Sequence, residues 1–232
     1  MTTVTILSGG AAQGLVRGLT DAFKAQTGLS IDGEFGAVGI MADRLRAGAP
    51  ADLVILTQAL LAKLAEEKLV VASSIADVGR VETALAVRSR DPMVAVKTEA
   101  DLRDVLRSAD AIYVPDTKAS TAGQHVAKVL DQLGIAYEVA SRLKIFPNGA
   151  TAMRELAAST AQRPIGCTQA TEIIATHGIA LSGSLPPGCE LVTMYTAGVT
   201  THAAYPKEAA ALVALLTGAD RKELRQRVGF AG

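Results

Sequence analysis

The chain has 232 residues, 49% apolar and 20% charged, a balance that fits a folded globular protein and argues against disorder. Lys plus Arg and Asp plus Glu number 23 each, so no net field draws the chain to nucleic acid or to an anionic membrane. Four Tyr, four Phe and no Trp leave little for base stacking, and nucleic acid is excluded as an expected partner.

Met1-Thr2-Thr3 leads directly into an apolar run, with no basic segment, apolar leader core or small-residue cleavage site before it. As written, the chain reads as cytoplasmic, or as periplasmic if a leader was removed. No run of 18 apolar residues occurs, so no membrane insertion is expected. The length suits one large domain or two lobes of about 110 residues each.

Val4-Thr5-Ile6-Leu7 predicts a buried parallel-type strand, and Leu15, Leu19, Ala22 and Phe23 follow at helical spacing. Between them, Ser8-Gly9-Gly10-Ala11-Ala12 forms a strand-to-helix turn. The free N–H groups and the dipole of a helix start favour an anion there, and Gly9 and Gly10 let it approach the main chain. A plain βα turn accounts for the same residues equally well. The pattern recurs at Phe35–Ile40, after an expected strand at Ile31–Phe35, and at Asp116–Gly123, after a strand at Ala111–Val114. Open α/β sheets bind ligands beyond the carboxyl ends of their strands, so three such turns suggest a shared site.

The alternation continues along the chain. Ala51–Leu56 is an expected strand, and Leu60, Leu61, Leu64 and Ala65 mark a helix. Val81–Val87 is the next strand, after which Asp91-Pro92 interrupts the pattern. Thr98 caps a helix with Leu102, Val105 and Leu106 inward. The helix after Asp116–Gly123 carries Val126, Val129, Leu130 and Leu133, with Gly134 as its stop. Lys144–Phe146 is a short strand, Gly149–Ser159 a helix, Ile165–Thr168 a strand and Ala170–Thr176 a helix. Leu181–Gly188 is expected to be a Gly/Pro-rich loop. Glu190–Tyr195 is the final strand, Pro206 opens a helix to Leu216, and Asp220 opens a last short one. The class is α/β. Cys167 and Cys189 leave disulfide pairing open, with Cys167 placed in a buried strand.

These residues carry a resemblance. The N-terminal strand–Gly–helix, Phe35-Gly36-Ala37-Val38-Gly39 and Gly48-Ala49-Pro50-Ala51-Asp52-Leu53-Val54 are the first matching pieces. Pro115-Asp116 with Ala122-Gly123, Gly166-Cys167-Thr168-Gln169-Ala170-Thr171-Glu172 and Val228-Gly229-Phe230 complete the set. Together they resemble the molybdate-binding family of ABC-transporter solute receptors. The resemblance implies the type II periplasmic-binding-protein fold, in which each lobe is a mixed, mostly parallel sheet flanked by helices and the two close on an anion. It places residues 1–83 plus 198–232 in one lobe and 84–197 in the other, with hinge strands near 81–87 and 191–196. An ABC-transporter permease would be a partner if the protein is exported.

The departures bear on the ligand. The resembled receptors offer Ser, Ser and Tyr hydroxyls where this chain has Ala11, Val38 and Gln169. Three directed hydrogen bonds, each worth about 1–3 kcal/mol to a charged acceptor, would be lost to a tetrahedral oxyanion. The candidate ligand-binding residues are Gly10, Ala11, Ala12, Val38, Gly39, Ser120, Thr121, Thr168 and Gln169. Amides, hydroxyls and one carboxamide would suit the planar carboxylates of a small di- or tricarboxylate. Gln169 and the threonines could equally serve only the local backbone.

Three alternatives stand beside that reading. Some members of the superfamily resemble aconitate isomerases, which move a proton on a tricarboxylate without a cofactor. Such a reaction needs a base near the carbon-bound proton, and Asp116 is the weak catalytic candidate, with Glu172, His125 and His202 behind it. A molybdate or tungstate receptor and an intracellular ligand sensor are the others. Three scattered histidines give no metal site, and no cofactor is expected.

Overall fold

The computed structural model describes residues 2–231. The chain divides into two compact units, Met1–Val81 with Thr193–Gly232, and Glu82–Val192. In order, the first unit contains β1 (Thr3–Gly9), α1 (Gln13–Thr27), β2 (Ser30–Gly36), α2 (Val38–Arg46), β3 (Leu53–Thr57) and α3 (Gln58–Glu66). Strand β4 (Ala76–Arg88) carries the chain into the second unit. There follow α4 (Glu99–Ser108), β5 (Ala111–Pro115), α5 (Thr121–Gln132), α6 (Ala136–Val139) and β6 (Leu143–Phe146). The unit continues through α7 (Gly149–Ala158), β7 (Pro164–Gln169), α8 (Ala170–Ile174) and β8 (Ile179–Ser184). Strand β9 (Val192–Val199) returns to the first unit, which ends with α9 (Pro206–Thr217) and α10 (Lys222–Arg227). The class is α/β. Among the described residues, no helix is long and apolar enough to cross a membrane.

In the first unit, β1 lies between β2 and β3, parallel to both, and β9 runs antiparallel beside β3. A strand covered on both faces reads as a continuous apolar run, and Ile6, Leu7, Ser8 and Gly9 are all buried. Leu15, Leu19 and Phe23 of α1 are fully buried, one helical stripe on the core side. Asp52, from the Gly-Ala-Pro-Ala-Asp piece, is 3% exposed and ties this unit together. Its carboxylate accepts from the Thr5 N–H at 2.8 Å and the Tyr205 N–H at 2.9 Å. The motif's acid is therefore a structural tie.

In the second unit, β5 lies between β6 and β7, parallel to both, while β4 runs antiparallel to β7. Leu102 and Leu106 of α4, Val126, Val129 and Leu130 of α5, and Ile112, Ile165 and Cys167 of the sheet form its core. Thr98 caps α4 as expected: its hydroxyl accepts from Asp101 N–H, and Asp101 accepts from Thr98 N–H at 2.9 Å. Part of the expected 181–188 loop is instead β8, because Ile179 to Ser184 pairs antiparallel with Arg88 to Ala84 across a bulge at Leu85/Ala86. Strand β4 begins at Ala76, earlier than Val81, and β9 runs from Val192 to Val199 rather than from Glu190 to Tyr195. The cysteines are both buried and free, and burial pushes the Cys167 thiol up to about 12.

Candidate functional site

In the first unit, β1 ends at Gly9, Gly10–Ala12 form one 3₁₀ turn, and α1 starts at Gln13, whose N–H bonds the Gly10 carbonyl. Strand β2 ends at Gly36 and α2 starts at Val38, with Met41 N–H bonding Ala37 O at 3.1 Å. The first N–H groups of a helix have no partner inside it, so both turns present main-chain donors. Their side chains are apolar. Ala11 is 2% exposed and Val38 6%, and a Cβ on Gly9 would lie 2.7 Å from Val38 Cγ1 and 3.0 Å from the Tyr195 ring. Gly10 and Gly39 are half-buried, and Ala12 is buried. The buried Ser8 hydroxyl donates locally to Gly9 O at 2.9 Å.

In the second unit, β5 ends at Pro115 and α5 begins at Thr121. Asp116 builds the loop between them: its Oδ1 accepts from Lys118 N–H at 2.7 Å and Ala119 N–H at 2.8 Å. Those bonds hold its carboxyl below the usual range, which leaves it ionised and a poor base. Gly123 packs on the same loop, since a Cβ there would lie 2.1 Å from Asp116 O. Ser120 sits at the N-cap of α5 without a side-chain cap bond, and both Ser120 and Thr121 are half-buried.

The Gly-Cys-Thr-Gln-Ala-Thr-Glu piece forms the end of β7 and the start of α8. Alternation along the strand sends Thr168 and Gln169 to opposite faces. Thr168 is fully buried and its hydroxyl donates to Glu172 Oε2 at 2.6 Å. That bond takes up the hydroxyl's one proton and leaves its oxygen as an acceptor. The Glu172 carboxyl also accepts from the backbone N–H groups of Gln169, Ala150 and Gly149, sitting on the first turn of α7. Burial pushes its pKa up, and the four donors oppose that shift. Gln169, 3% exposed, is the last residue of β7 and stands opposite Thr83 of β4. Among the described residues, the buried hydroxyls of Thr83 and Thr171 have no hydrogen-bond partner.

Helices α1, α2, α3, α5 and α7 each start at the carboxyl end of a strand without an acidic residue in the first turn, whereas α8, which starts at the end of β7, carries Glu172 there. Helices α4, α6, α9 and α10 start elsewhere and carry Glu99 and Asp101, Glu138, Glu208 and Glu223 there. A first-turn acid neutralises the dipole, so the starts of α1, α2 and α3 keep theirs, while the Glu172 carboxyl sits on the start of α7 and Asp116 on the loop before α5. The histidines lie outside this set. His125 Nε2 is 2.8 Å from Cys189 O, and His177 and His202 are exposed. Sequence reasoning passed over Thr83, whose only signal is a polar residue within the apolar Val81–Val87 strand.

Residues 4–231 match the family model described as bacterial extracellular solute-binding protein. An aconitate isomerase from a Pseudomonas species is 27% identical over 231 residues, spanning 95% of this chain and 84% of its own. The periplasmic molybdate-binding protein of Azotobacter vinelandii superposes with a TM-score of 0.82 at 17% identity, covering 99% of both chains. The sulfate-binding protein SubI of Mycobacterium tuberculosis superposes with a TM-score of 0.76 at 19% identity, covering 99% of this chain and 86% of its own. The type II periplasmic-binding-protein fold expected from the sequence is thereby established.

Proposed function

The chain belongs to the family of bacterial extracellular solute-binding proteins, and on that premise we propose that it binds a small organic anion, a di- or tricarboxylate, on its strand-to-helix turns. The observation that carries the reading is that electropositive, acid-free turns present backbone amides beside Ala11 and Val38 instead of hydroxyls. A tetrahedral oxyanion would lose directed donors worth several decades of affinity, whereas a carboxylate is served by amides and by Gln169. In this reading each unit offers further donors of its own, Gly10, Ala12 and Gly39 in the first and Ser120 and Thr121 in the second. Membership in an extracellular family favours the exported form and a transporter permease as partner.

The aconitate isomerase relative favours a second reading, a cofactor-free carboxylate isomerase. Against it, Asp116 is pinned in its own loop, Glu172 is enclosed by four donors and His125 contacts the Cys189 carbonyl. Each of these groups is already engaged by the protein's own donors or acceptors.

A thermal-shift panel of trans-aconitate, citrate, L-malate, molybdate, sulfate and phosphate tests the proposal. A ligand at 100 times its dissociation constant adds about 2.7 kcal/mol of stability. At least one carboxylate should raise the unfolding temperature and molybdate should not. A molybdate shift with no carboxylate response overturns the reading. Proton NMR of cis- and trans-aconitate mixed with the protein separates receptor from isomerase, because only the isomerase interconverts them.

A further inference from the structure

Strands β4 and β7 are antiparallel, with Thr83 opposite Gln169 and Leu85 opposite Cys167. Opposed residues of such a pair project from the same face, and each step of two along a strand stays on that face. Leu85 and Cys167 lie in the core with Val126, Val129 and Leu130 of α5. Thr83 and Gln169 therefore occupy the face that α5 covers, one step nearer the carboxyl end of β7. Tyr113 pairs with Gly166, which sets the end of β5, and hence the loop into α5, level with that step. The first turn of this 12-residue helix carries no acid.

Thr83 is 1% exposed and its hydroxyl has no hydrogen-bond partner among the described residues. A buried, unpartnered hydroxyl destabilises a fold, and valine would fill the same volume without that cost. The neighbouring acid, Glu82, projects from the opposite face of β4 and accepts from the Ser184 hydroxyl. The combination of an orphan donor, a carboxamide directly across the ladder and the start of a helix with no acid in its first turn at the same level points to a ligand oxygen. We propose that Thr83 is a specificity-determining residue of the site, its hydroxyl donating to one oxygen of a ligand carboxylate that Gln169 also engages. The inference rests on the carboxylate reading and adds to it the residue that recognises the carboxylate in the second unit.

The test is calorimetric titration of the wild type, Thr83→Val, Thr83→Ser and Gln169→Ala with trans-aconitate, citrate and L-malate, alongside thermal unfolding without them. Thr83→Val should bind the preferred acid weaker by on the order of tenfold or more, the loss of one hydrogen bond to a charged group. Thr83→Ser should stay within about threefold. Without acid, Thr83→Val should unfold at or above the wild-type temperature, so that stability and affinity move in opposite directions. Wild-type affinity in Thr83→Val with weakened binding in Gln169→Ala overturns this inference and leaves the site reading standing. Wild-type affinity in both overturns both, as does a wild type that takes none of the three acids. If the valine variant fails to fold, Thr83→Ala is read by the same binding outcomes.

Discussion

The Thr168 hydroxyl donates to Glu172 Oε2 at 2.6 Å, and that carboxyl in turn takes the first backbone N–H groups of α7. One buried acid thus joins the end of β7, the start of α8 and the start of α7, and it fills the helix terminus that an external anion would otherwise occupy. Glu172→Gln replaces one acceptor oxygen with an NH₂ facing four donors, which should cost about 1–3 kcal/mol of stability. The pH dependence follows from the raised pKa. The protonated form is favoured in the fold, so its contribution is full below the unfolded value of 4.5 and is lost as pH rises through the folded pKa. Urea unfolding of both proteins from pH 4 to 8 should show the widest gap at the acid end. A gap that widens with rising pH contradicts this.

Gly149 is the point where that acid meets α7. A Cβ there would lie 1.9 Å from Glu172 Oε2 and 2.2 Å from Thr168 Oγ1. Gly149→Ala should displace the carboxyl from its donors and destabilise the protein by at least about 1–3 kcal/mol, although alanine is the better helix former. Thermal unfolding checks it, and an unchanged midpoint would mean that the carboxyl can move without loss.

Asp116 should matter to its loop and not to chemistry. Its depressed pKa makes its contribution present above the unfolded value of 3.8 and lost as pH falls through the folded value. Asp116→Asn keeps an acceptor oxygen for Lys118 and Ala119 N–H and should leave carboxylate affinity, and any aconitate turnover, within about threefold. Asp116→Ala removes both bonds and should speed proteolysis at 116–120. Loss of turnover in the asparagine variant alone would restore Asp116 as a base.

Ala11 and Val38 should set the discrimination against oxyanions. Ala11→Ser with Val38→Ser returns two hydroxyls to turns that already present amides. Molybdate affinity should rise by on the order of a hundredfold, two charged-group hydrogen bonds at the low end of their range. Affinity for the preferred carboxylate should not rise with it. Titration with molybdate and the carboxylate decides, and an unaltered molybdate response would place these side chains away from the ligand.

The sequence by itself determined the α/β alternation, the Thr98 cap, the three strand-to-helix turns and the presence of Ala11, Val38 and Gln169 at or just past the ends of strands. Each of these is written in periodicity, in a residue and its third neighbour, or in a short motif, and local chain geometry is enough to express them. Tertiary structure decided which polar groups of those motifs are already satisfied. Thr168 and Gln169 are adjacent and equally polar, yet the strand's alternation sends one to Glu172 and the other opposite Thr83. Asp52 in the most distinctive motif is consumed by Thr5 and Tyr205, far away in the chain. Strand β8 exists because β4 offers it an edge, which its own short sequence beside a Gly/Pro-rich segment does not announce. Which side chains meet across a sheet is set by long-range register and by the packing of helices on its two faces, and neither leaves a periodic trace in the residues that result from it.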